Sequence, residues 1–111
     1  MPHCVIEYSV ETPTKPLMKT VYDSTLASGL FDPSGKDIKV RAMPYTYQQN
    51  GAGLAGFIHV TLKILSGRTT EQKRHLSTTV LTALHDLGFT NCSLTVEVID
   101  IDRDSYAKLI V

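Results

Sequence analysis

Along residues 57–65 (FIHVTLKIL), Ile58, Val60, Leu62 and Ile64 alternate with Phe57, His59, Thr61 and Lys63. A period of two puts the first set on one face of a β-strand and the second on the other. Residues 38–43 (IKVRAM) and 93–101 (SLTVEVIDI) follow the same rule. There Ile38, Val40 and Ala42 oppose Lys39, Arg41 and Met43, and Leu94, Val96 and Val98 oppose Thr95, Glu97 and Ile99. Residues 2–9 (PHCVIEYS) predict one more strand. Between 69 and 88 the period changes. Leu76, Val80, Ala83, Leu84 and Leu87 recur at steps of three and four, so they predict one apolar helix face. Thr69 with Gln72 forms a capping box at its start, and Gly88 suits its end. An earlier helix is signalled by Thr14 as a cap, Pro16 in the first turn, and Leu17, Val21 and Leu26 as a thinner stripe.

The pattern repeats. Leu30-Phe31 and Gly88-Phe89 follow the two helices, and a strand follows each in turn. The expectation is a single domain, 1–111, made of two βαβ halves of about 2–47 and 57–101. A glycine-rich connection, Gln48–Gly56, joins them, and a tail from Asp102 follows. The predicted class is α/β, a two-layer sandwich in which two helices cover one face of a four-stranded sheet. The other face mixes Phe57, Met43 and Ile99 with charged residues. A chain of 111 residues cannot cover both faces, so packing against further copies is expected there.

Composition narrows the picture. Eleven Lys+Arg balance eleven Asp+Glu. That argues against bulk attraction to nucleic acid or to an anionic membrane. Hydrophobic residues at 42% and charged residues at 20% suit a folded domain. No apolar run approaches the ~20 residues of a membrane helix, and no secretory leader is read at the N-terminus. Cys4 and Cys92 make neither a disulfide framework nor a zinc site, so a cytoplasmic location is expected.

The chemistry rests on few residues. Gly51–Gly56 spells G-x-G-x-x-G, but dinucleotide binding needs those glycines between a strand and a helix. Here a strand follows, and the segment reads as a linker. The four histidines lack the spacing of a metal site, and no metal or cofactor is expected. His59 reads as a hydrogen-bonded structural histidine and His85 as a surface one. Pro2 either merely follows the start or, once Met1 is removed, presents a secondary amine. Burial or nearby cations would lower the pKa of that amine and make it a base near pH 7. Arg41 lies mid-strand on the mixed face beside Lys39. It either pairs with an acid such as Glu97 or, with Lys39, binds a substrate carboxylate. Arg68 stands where the third strand turns into the second helix, either solvated or holding a ligand.

Met1-Pro2-His3, Val40-Arg41 and the block from Phe57 to Ile64 followed by Gly67-Arg68 resemble the 5-carboxymethyl-2-hydroxymuconate isomerases, within the tautomerase superfamily. The resemblance runs from Pro2 to about Ile101, with its most specific part at His59–Arg68. It implies a duplicated βαβ fold, a homotrimer and a cofactor-independent isomerase that moves a proton in a carboxylated dienol. Pro2 would then be the base, Arg41 would polarise the oxo-acid end, and Arg68 would hold a further carboxylate. An arylpyruvate tautomerase, dehalogenase or hydratase could use the same amine. A non-catalytic oligomeric binding protein could share the scaffold.

Overall fold

The computed structural model describes residues 1–12 and 15–111. Its elements are β1 (His3–Ser9), α1 (Lys15–Ala27), β2 (Lys39–Tyr45), β3 (Gly56–Leu65), α2 (Thr70–His85) and β4 (Cys92–Ile101). The sheet order is β2-β1-β3-β4. β1 runs parallel to β2 and β3 parallel to β4, while β1 and β3 meet antiparallel at the centre. Parallel neighbours need a crossover long enough to return the chain, and α1 and α2 provide it. The fold is the two-layer α/β arrangement expected from the periodicities.

One face of the sheet takes both helices. Ile58, Val60, Leu62 and Ile64 of β3 are fully buried, as are Leu17 and Val21 of α1 and Leu76, Val80 and Leu84 of α2. Each such side chain contributes roughly 1.5–3 kcal/mol by leaving water. The stripe on α1 looks thin in the sequence because part of it is polar. Thr25 is fully buried, with Oγ1 3.6 Å from the Cys4 sulfur. Pro16 sits in the first turn of α1, whereas Thr14 lies outside the described residues.

The capping box on α2 is present. The Gln72 amide donates to Thr69 Oγ1 (3.1 Å), and the Thr69 amide donates to Gln72 Oε1 (2.9 Å). The far end corrects one expectation. The helix stops at His85, so Leu87 falls outside the apolar stripe and is 36% exposed. The chain turns away at Gly88, whose φ of +84° is the left-handed conformation that glycine adopts freely. The Gly51–Gly53 segment forms only a short 3₁₀ turn before β3, so the glycine motif is a connection, as its context implies.

Candidate active site

Two ends of the chain meet at one end of the sheet. Pro2 is fully buried, and its carbonyl accepts the Lys39 amide at 3.0 Å, which fixes the start of β1 beside β2. The Met1 amine donates to the Asp37 carbonyl at 2.9 Å, and Lys39 Nζ donates to the same oxygen at 3.3 Å. Burial, and next the Lys39 charge, hold the Met1 amine below its usual pKa, against a smaller opposing effect of Asp37. Met1 lines a cavity of about 370 Å³ with Leu30, Phe31, Asp32, Asp37, Leu65, Arg68 and Arg103.

The sequence repeat explains how Arg68 arrives there. Leu30 and Phe31 follow α1, and Gly67 and Arg68 precede α2. Arg68 Nη2 donates to the Leu30 carbonyl at 2.7 Å, and its guanidinium carbon lies 5.4 Å from the centre of the Phe31 ring. A cation over an aromatic face is attracted to it, so the side chain is held in place rather than free in solvent. Gly67, at φ +123°, lets the chain turn into the helix cap there.

Arg103 was not a sequence candidate. Its Nε donates to the Ser66 carbonyl at 3.0 Å, and its amide to Ser66 Oγ at 3.3 Å. The available signal was the register. Leu65 pairs with Ile101, so the residues just past β4 must lie alongside Ser66-Gly67-Arg68.

Arg41 and Lys39 lie on the sheet face opposite the helices, as their alternation requires. Arg41 does not line the Met1 cavity. Its Nη1 donates to His3 Nδ1 at 3.2 Å. A guanidinium can only donate, so the His3 proton resides on Nε2 and is donated to the Tyr106 hydroxyl at 3.0 Å. Burial first, then Arg41 and Lys39, push the His3 pKa down. The expected partner for Arg41, Glu97, is out of reach. It sits on β4, three strand spacings of about 4.8 Å from β2. Glu97 instead contacts His59 Nε2 and accepts from Thr61 Oγ1 (3.3 Å), while His59 Nδ1 meets Thr95 Oγ1 at 2.7 Å. His59 is thus the satisfied structural histidine that was expected.

The structure therefore brings Met1-Pro2 and Arg68 together, with Lys39 beside the amine, and leaves Arg41 around the sheet edge on His3. Among the described residues, no three His, Cys, Asp or Glu side chains converge as metal ligands. A larger cavity of about 560 Å³ opens elsewhere, between Ser9, Phe89 and Cys92. It contains none of these groups, and burial raises the pKa of the Cys92 thiol.

The sequence model of one family, the 5-carboxymethyl-2-hydroxymuconate isomerases, matches residues 2–108. The chain belongs to that family. As a member of it, the protein is an isomerase. A 5-carboxymethyl-2-hydroxymuconate isomerase from Deinococcus radiodurans R1 is similar to it over 97% of this chain and 88% of its own, with 21% identity and a TM-score of 0.75. A 5-carboxymethyl-2-hydroxymuconate delta-isomerase gives the same identity and TM-score over 98% and 88%. A fused 4-OT, solved as a symmetric trimer, is similar at 18% identity and TM-score 0.78 over 96% and 90%. At these identities the likeness establishes the fold. No curated protein matches the chain in sequence.

Proposed function

We propose that this isomerase moves a proton within a carboxylated dienol such as 5-carboxymethyl-2-hydroxymuconate, with the Pro2 nitrogen as base. One observation carries the reading. Met1, bonded to the buried Pro2, lines the same cavity as Arg68. Removal of Met1 would convert the Pro2 amide nitrogen into a secondary amine on that wall and enlarge the cavity by the space of the lost residue. The groups that depress the pKa of the Met1 amine would bear on a prolyl amine in its place.

The step is balanced without any added reagent. The neutral amine takes the enol O–H proton, and the carbonyl forms as the double bonds shift. The same nitrogen then returns the proton to the terminal carbon of the diene. Arg68 holds a carboxylate through its remaining donors, and Lys39 adds positive potential at the amine. Arg41 polarises the oxo-acid end. It reaches the site in a homotrimer, the state the fused 4-OT relative is solved in, where the mixed sheet face would be covered by neighbouring copies. No helix is long and apolar enough to cross a membrane, and with two free thiols the chain suits a reducing cytoplasm.

Intact-mass measurement of the untagged protein is expected to show loss of Met1. Pro2→Ala should then lower turnover of 5-carboxymethyl-2-hydroxymuconate at pH 7 by roughly 10²-fold or more. Arg41→Ala should cost at least a tenfold loss of kcat/KM, about 1.4 kcal/mol. Retention of Met1 in a fully active enzyme would refute the base. Turnover only of phenylenolpyruvate or a halogenated acrylate would assign the amine to another tautomerase-type reaction.

A further inference from the structure

The cavity at Met1 contains two guanidinium groups, and the second one is unused by the reading above. Arg68 comes from the turn before α2, and Arg103 from the first residues after β4. Each spends one donor on a backbone carbonyl, Leu30 for Arg68 and Ser66 for Arg103. These bonds orient the planar groups and leave their other N–H donors without a protein acceptor among the described residues. Neither arginine forms an ion pair among those residues. The two carboxylates that line the cavity are engaged elsewhere. Asp32 accepts from Ser34 and lies 3.7 Å from Lys36, and Asp37 pairs with Lys108 at 3.1 Å.

Two like charges kept in one small cavity repel each other unless an anion lies between them. The protein nonetheless holds them there by several independent contacts. Ser66 binds both the amide and the Nε of Arg103. Further along the tail, Tyr106 bonds His3 and Lys108 pairs with Asp37. The tail is thus fastened on both sides of the Pro2 strand, and it carries Arg103 to the cavity.

We infer that Arg103 and Arg68 form a paired carboxylate clamp that makes the C-terminal tail a specificity element of the site. Bidentate guanidinium donors suit a carboxylate at the end of the substrate away from the enol. The site then selects enol acids that carry at least one carboxylate besides the oxo-acid group. Enol acids with a single carboxylate and an apolar far end leave the clamp unpaired and are discriminated against, because a site built for a polar group loses heavily when that group is missing. This assignment of substrate class rests on the proposed isomerase reading. The anion clamp itself does not.

The test uses the full chain with Arg103→Gln and Arg103→Lys, which keep the main-chain amide bond to Ser66 Oγ and lose the guanidinium. Against 5-carboxymethyl-2-hydroxymuconate, Arg103→Gln should raise KM at least tenfold, with the loss in KM rather than kcat, and Arg103→Lys should recover part of it. The kcat/KM preference for that substrate over phenylenolpyruvate should fall at least fivefold. In parallel, calorimetric titration with the unreactive tricarballylate should show at least tenfold weaker binding to Arg103→Gln than to the parent protein. Equal losses on both substrates, or unchanged tricarballylate affinity, would overturn the clamp and reduce Arg103 to a tail anchor. Tricarballylate binding that depends on Arg103 in a protein inactive on every dienol would uphold the clamp while removing the isomerase reading.

Discussion

At the scale of single residues, burial and nearby cations hold two groups toward their neutral forms, the Met1 amine and the His3 ring. A proton acceptor at the Pro2 position is useful only in its unprotonated form. The burial and the Lys39 charge that lower the pKa of the Met1 amine would act in the same direction on a Pro2 amine. The profile of kcat/KM against pH should therefore rise through a pKa below that of a free prolyl amine, and a profile flat from pH 5 to 9 would contradict an amine base. His3 follows the same logic in stability. Its folded pKa is depressed by burial, Arg41 and Lys39, so below about pH 6.5 the unfolded chain takes up a proton that the folded chain resists. Stability contributed by neutral His3 is complete above that value and is lost as pH falls through the folded pKa. Protonation would also remove the acceptor that Arg41 uses. Urea unfolding at pH 7 and pH 5 should show a smaller loss on acidification for His3→Gln than for the parent. An identical difference would mean that His3 does not titrate between those values. Pro2 and Arg68 were legible as candidates because a residue type with rare chemistry stood at a strand or helix end. Arg103 was not, since an arginine in the polar run Asp102–Ser105 looks solvated until the end of β4 is known to lie beside Ser66.

At the scale of elements, local rules carried most of the information. The two-residue alternation in β3 appears in the full burial of Ile58, Val60, Leu62 and Ile64, interrupted only by Thr61, which is buried on the other face, and the capping box at Thr69 forms as its spacing requires. Thr69→Ala should destabilise by about 1 kcal/mol, through loss of a cap. Leu84→Ala, in the closed core between α2 and the sheet, should cost about 2–5 kcal/mol. Thermal or urea unfolding would check both, and equal effects would mean that the Leu84 pocket collapses fully. Leu87 shows where periodicity misleads. A stripe continues on paper past the residue at which the backbone stops being helical, and the left-handed turn at Gly88 decides the matter.

At the scale of the whole molecule, the uncovered sheet face and the end of the tail remain. Met43 is 59% and Ile99 41% exposed on that face, and Leu109 and Ile110 are exposed at 85% and 79%. A homotrimer that covers the face should sediment at three times the 12.2 kDa chain mass. Met43→Lys places a charge in that contact and should shift the protein toward the monomer, with activity falling if Arg41 serves its site across the subunit boundary. A parent protein that sediments as a monomer would separate Arg41 from the cavity at Met1. By itself the sequence determined the strands, the helices and the two faces of the sheet, because alternation and capping act between residues a few positions apart. Only the tertiary structure decided which charged groups share a cavity. That outcome depends on strand order and register, which bring Met1, Arg68 and Arg103 together from the two ends and the middle of the chain, while the same geometry turns Arg41 toward His3 and parts it from Glu97.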